Sequence, residues 1–175
     1  MEYLKIIRDN EILRDTIDIF CDVLIEGSLT GMDGTLGYSL EKFRVFGRDA
    51  GGGVYGFIGK GDFARLPVGY VSSEGPSGKI AANIDDFFHL ITFCPFWYDL
   101  CRLRGISKEA FAIMEEEARQ DDEDYDEMQG FIAEQLGLDK NADVLGNLYS
   151  ALTTGPRFVT YATEDNSPSE PLVTL

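Results

Sequence analysis

The sequence predicts an α+β fold, an antiparallel β-sheet meander packed against N-terminal and C-terminal helices. Three observations carry that prediction. Residues 43 to 82 hold four short runs of strand-forming residues separated only by turns, whereas parallel neighbours would need crossovers of about a dozen residues or more. The flanking segments repeat apolar residues at spacings of three and four, the pattern of helices with one buried face. A chain of 175 residues, 44% hydrophobic and 12% aromatic, suffices for one domain that buries roughly 70% of the surface its unfolded form exposes. That aromatic share is too high for disorder.

Ile12, Leu13, Ile17, Phe20, Cys21 and Leu24 place one core-facing helix over residues 9–25, ended by Gly27. The following GSLTGMDGTLGY has four glycines in twelve residues and reads as loop, with Asp33 and Gly34 as a turn dipeptide. Strands are expected at 43–46 and 54–58, around a glycine-rich segment suited to positive φ or a bulged hairpin. A third follows at 66–71, with Pro67 near its start where a missing N–H is tolerated, and a short fourth at 79–82.

Asn83 is the expected N-cap of an aromatic helix, with Asp85 and Asp86 in its first turn where the helix dipole favours negative charge. Phe87, Phe88, Leu90 and Ile91 point it at the core. Pro95 interrupts the pattern before Phe96, Trp97, Leu100 and Leu103 resume it. Ser107 caps a further helix over 108–119 with Phe111 and Met114 on one side, a second runs over 125–136 to Gly137, and a third over 142–152. Residues 158–162 alternate as a late strand. One domain is thus expected over 1–163, with 164–175, which holds Pro168 and Pro171, as a loosely ordered tail.

Charge narrows the function. With 31 acidic against 15 basic side chains the formal net charge is −16, which repels phosphate backbones and anionic membranes, so neither nucleic acid nor membrane is an expected partner. Charged residues at positions 2 and 5 leave no signal peptide at the start, and no apolar run reaches the about 18 residues of a membrane span. Cys21, Cys94 and Cys101 lack CxxC spacing and histidine pairing, the pattern of buried thiols in a reducing compartment. The expected location is the cytoplasm.

Recognisable chemical motifs fail on context. Gly51, Gly53 and Gly56 satisfy GxGxxG with Glu74 beyond them, but a dinucleotide fingerprint needs a helix to start at the glycines, and here VYGFI continues as strand. Asp122, Asp124 and Asp126 have the start of a calcium-loop spacing, yet Glu127 stands where glycine is required and Ala133 where a bidentate glutamate belongs. His89, the single histidine, lies among Phe87, Phe88, Leu90 and Ile91 and reads as a satisfied, partly buried histidine. No catalytic, cofactor-binding or metal-binding residue is therefore assigned.

The strongest feature left is the run EEEARQDDEDYDE, residues 115–127, with nine acids and one base. It reads either as a solvated helix end or as a docking surface for a basic partner, made of Glu115, Glu116, Glu117, Asp121, Asp122, Glu123, Asp124, Asp126 and Glu127. Lying between two amphipathic segments, it is held on a folded surface.

The central stretch also resembles a known family. The polar-glycine turn Arg48 to Gly53, the aromatic strand Val54 to Phe57, Pro67 and Val68 leading a strand, the turn at Glu74 and Gly75, the short strand 79–82 and the acid-capped helix with Phe87 and Phe88 are together similar to the SUKH superfamily of Smi- and Knr-like proteins. The likeness covers residues 43 to 92. The family places a helical segment with a proline before its sheet, which this chain lacks, and residues 105–155 lie outside the likeness. The resemblance implies an α+β fold, no active site, and work as an immunity protein that neutralises a bacterial toxin, often a nuclease. An acidic inhibitor suits a basic toxin through steered association. The alternative is a small-molecule-binding or regulatory module with a pocket between the sheet and the aromatic helix.

Overall fold

The meander is present in the computed structural model, which describes residues 2–32 and 34–173. Strands β1 (Leu24–Thr30), β3 (Phe43–Arg48), β4 (Val54–Ile58), β5 (Val68–Val71) and β6 (Ser77–Ala81) form one sheet in the order β1-β3-β4-β5-β6, every neighbouring pair antiparallel. A separate two-stranded ribbon joins β2 (Tyr38–Ser39) to β7 (Thr160–Tyr161). The fold is α+β.

The N-terminal third departs from the expected single helix. Two helices, α1 (Glu2–Asp9) and α2 (Glu11–Cys21), break at Asn10, whose side-chain oxygen accepts from the Leu13 N–H at 3.2 Å and caps the second. Helix α2 ends at Asp22 in the left-handed conformation (φ 51°), and the chain turns into β1 with Gly27 inside the strand. The run VLIE that looked like a last helical turn is drawn into the sheet by pairing Ile25 with Gly47. Two predicted core residues lie at the surface, Leu24, which is 43% exposed in β1, and Ile12, which is 70% exposed in the first turn of α2. Of the predicted turn dipeptide, Asp33 lies outside the described residues and Gly34 opens a 3-10 turn, Gly34–Leu36.

Both faces of the sheet are covered, so β4 and β5 are buried at every position. On one face Tyr55, Phe57, Val68, Tyr70 and Ile80 meet α1, α2 and α3 (Ile84–Phe93) in the main core. On the other, Phe43, Val45, Val54, Ile58 and Val71 form a smaller cluster closed by Phe158. An irregularity at Phe46, where the register steps from Val45↔Gly56 to Gly47↔Tyr55, turns that ring into the main core against Phe57 and Phe87. Gly56 and Gly69 face each other across β4 and β5. A Cβ on Gly56 would stand 2.6 Å from the Phe43 ring, and one on Gly69 2.9 Å from Ile58, so the missing side chains let Phe43 stack on Phe158 at 4.9 Å.

Helix α3 starts as expected, with Asn83 Oδ1 accepting from the Asp86 N–H at 2.9 Å. It stops at Phe93, before Pro95, and a short turn α4 (Trp97–Asp99) runs into a π-helical segment, Leu100–Arg104. Ser107 caps α5 (Lys108–Asp121), followed by α6 (Tyr125–Leu136) and α7 (Val144–Thr153). The predicted strand at 158–162 contracts to the two residues of β7. Within the segment 164–175, read from sequence as a loose tail, Pro168 bridges back to Tyr161 and residues 170–172 run beside β6: the Ser77 N–H donates to Glu170 O at 3.0 Å, and Leu172 is buried over Gly78.

Candidate docking surface

Groups that can do chemistry are mostly committed to structure. Burial raises the thiols of all three cysteines, that of Cys101 up to about 12, which removes the thiolate a nucleophile or ligand requires. Around the start of α3, the Tyr3 hydroxyl donates to Asp85, Asn147 Nδ2 donates to Asp86 Oδ1 at 3.2 Å, and burial followed by the charge of Asp85 pushes the Asp86 carboxyl above its ordinary value. His89, 8% exposed, has both ring nitrogens on backbone groups. The Asp85 carbonyl lies 2.9 Å from Nδ1, and the Asp139 N–H donates to Nε2 at 3.1 Å. That pattern fixes a neutral ring with its proton on Nδ1 and clips α3 to the connection between α6 and α7.

The GxGxxG segment is a turn. Asp49 organises it, with Oδ1 accepting from the Gly53 N–H at 2.8 Å and Oδ2 from the Tyr70 hydroxyl at 2.6 Å, while Gly52 takes φ 90°. An anion would meet the Asp49 carboxylate there, the reverse of a phosphate cradle. Among the described residues no three of His, Cys, Asp and Glu are grouped to hold a metal ion. The space between the sheet and α3 is filled by rings, with Tyr55, Phe46 and Phe88 each within 5.4 Å of Phe87.

The nine acids of 115–127 occupy the last two turns of α5, the connection 122–124 and the first turn of α6. Part of their charge is spent locally. Arg119 reaches Glu115 at 3.1 Å and Asp126 at 3.0 Å while lying 5.4 Å from the Tyr125 ring, Arg104 holds Glu117 at 2.9 Å, and Glu116 accepts from Gln120. Asp122 Oδ1 accepts from the Asp124 N–H at 2.9 Å and shapes the connection. Among the described residues the carboxylates of Asp121, Glu123, Asp124 and Glu127 make neither ion pair nor hydrogen bond, and all four residues are exposed. Asp126 and Glu127 gain from the dipole of α6, but Asp121 sits at the C-terminus of α5, where the dipole opposes it.

A neighbouring feature escaped the sequence reading. Helices α2 and α6 lie antiparallel, Asn10 reaching Gln135 at 3.3 Å at one end and Phe20 packing on Tyr125 at 5.1 Å at the other. Between those contacts Ile12, Thr16, Met128 and Phe131 line a groove whose rim carries Asp124 and Glu127. The exposure of Ile12, placed in the core by its spacing, was the missing signal.

Comparison of the chain with protein-family models, with curated proteins and with solved structures finds no match. Among the described residues no helix is long and apolar enough to cross a membrane.

Proposed function

We propose that this protein is a non-enzymatic protein-binding module, a SUKH-like immunity protein that neutralises a basic bacterial toxin by direct contact through its acidic surface. The observation that carries the reading is the α5–α6 hairpin. It displays nine acids in thirteen residues, four of them on α5, a helix with one buried residue, Ala110, and the other five on the connection and the first turn of α6. Charge placed there does little for stability, and exposed ion pairs such as Arg104 with Glu117 contribute only about 0–1 kcal/mol. What it supplies is a field that raises the rate of encounter with a cationic surface. The three protonated, free cysteines fit residence in the cytoplasm, where an immunity protein meets an incoming toxin.

The test is association kinetics against a panel of purified basic nuclease-toxin domains at low and physiological salt. Wild-type protein should bind one of them and protect its target, with a rate that falls as salt shortens the screening length to about 8 Å. Reversing the acids of 115–127 should slow association most at low salt. Unchanged rates in that variant remove the run from the interface.

A further inference from the structure

The acidic hairpin borders the groove between α2 and α6, and the two form one continuous surface. The groove measures about 440 Å³ and is lined by Ile12, Thr16, Met128 and Phe131, with Asp124 and Glu127 at its rim. That volume lies within the about 300–1,000 Å³ typical of clefts that accept ligands. Ile12 is 70% exposed and Ile19, seven residues further along α2, is 76% exposed. Residues seven apart share a helix face about 10 Å apart, so α2 presents a second exposed isoleucine beyond the groove, with Asp15 and Thr16 between the two.

Charge selects the occupant. Both rim residues are acidic, the exposed residues of α2 include Glu11, Asp15 and Asp18, and its one base, Arg14, lies 3.7 Å from Glu11 and 3.4 Å from Asp15. A second copy of this chain, also at net charge −16, would bring like charge to the rim. A cationic segment with an apolar stripe of its own satisfies both features.

We infer that the α2–α6 groove docks a basic amphipathic segment of the partner, seating one apolar side chain against Ile12, Met128 and Phe131 while its lysines or arginines face Asp124 and Glu127. This rests on the protein-binding reading and adds to it where the partner's anchor enters. Ile12 and Ile19 extend that anchoring over two helical turns, so the matching segment is a helix with apolar residues about seven apart. The acids set the approach, and the apolar contact sets residence time, because salt-screened charge acts mainly on association and buried anchors on dissociation.

The experiment uses the full chain and two labelled peptides of equal length and charge, an amphipathic lysine–leucine helix and a lysine–serine control, with binding read by fluorescence anisotropy at low and physiological salt. Wild-type protein should bind the amphipathic peptide at least about tenfold more tightly, a difference of about 1.4 kcal/mol. Ile12→Ser with Ile19→Ser, both exposed and harmless to the core, should erase that preference at either salt. Asp124→Asn with Glu127→Gln should weaken both peptides, most at low salt. Equal binding of the two peptides by wild type, or a preference that survives the isoleucine changes, overturns the groove while leaving the acidic-surface reading standing. A wild-type dimer that Ile12→Ser converts to monomer overturns it in favour of a second copy. Binding of neither peptide overturns the groove and counts against the acidic surface as well.

Discussion

Helices α3 and α5 were both predicted from capped, amphipathic segments, yet they do opposite work. Eight of the ten residues of α3 are buried, and its rings interlock with those of the sheet. One of the fourteen residues of α5 is buried. A helix that carries the core has no freedom in its side chains, because packing at crystal-like density penalises every change of volume. A helix that leans on the core by one edge is free to collect charge. The division of labour in this molecule follows that line, with stability in α3 and the sheet and display in α5 and the first turn of α6.

Four perturbations test the division, beginning with the largest. Phe87→Ala removes the ring that Phe46, Tyr55 and Phe88 surround, and urea unfolding should show a loss of about 3–5 kcal/mol. If the loss is below about 1 kcal/mol, α3 is not the keystone. Gly56→Val forces a side chain into the Phe43 ring and should cost about 1–3 kcal/mol by overpacking. Gly27→Ala in β1, where a Cβ meets nothing within 4 Å, serves as its control and should stay within about 0.5 kcal/mol.

The third perturbation is pH. The thiol of Cys101 is raised from an ordinary 9.0 to about 12 in the fold. Below pH 9 folded and unfolded chains both keep the proton and the thiol's contribution is constant. Above it the unfolded chain ionises first, so stability falls as pH rises towards 12, by about 1.4 kcal/mol per pH unit for such a group. Cys21 and Cys94 shift in the same direction. Thermal melts from pH 8 to 11 should show the decline, and Cys101→Ala should make it shallower by that amount. An identical slope in the variant would show that this thiol is not the source.

The smallest effect belongs to the acidic hairpin. Asp121→Asn with Glu123→Gln removes two exposed charges, one of them opposed by the dipole of α5. Stability should hold or rise within about 0.5 kcal/mol, while partner association slows at low salt. A clear loss of stability would mean that these acids serve the fold.

Much of the fold was legible because its signals are local. Asn83 and Ser107 cap the helices that follow them, Gly137 closes α6, and Pro95 lies just past the end of α3. Four strands separated by turns left no route to a parallel sheet. Legibility failed where one stretch suits two structures. VLIE opens with three consecutive apolar residues, a short run that suits a helix end or a strand equally, and only the partner strand β3 settles which one forms. Ile12 and Leu13 are likewise adjacent apolar residues whose fates differ because α1 and α6 pack on one side of α2 and leave the other open.

The candidate site divides in the same way. The nine acids could be named from sequence, since charge density is a property of composition. Which of them are spent on Arg104 and Arg119, and which face outward, depends on helices brought together by folding. The groove depends on α2 and α6, more than a hundred residues apart in the chain, lying antiparallel. Leu172 could not be placed at all, because its socket over Gly78 belongs to β6.

By itself, then, the sequence determined the α+β class, the antiparallel meander, the helix caps and the sign of the surface charge, all written in neighbours a few residues apart. The tertiary structure alone decided which apolar residues are buried, which acids are free and where an apolar groove opens among them. Burial and pairing are relations between distant segments, and their energies exist only once the chain has closed those distances.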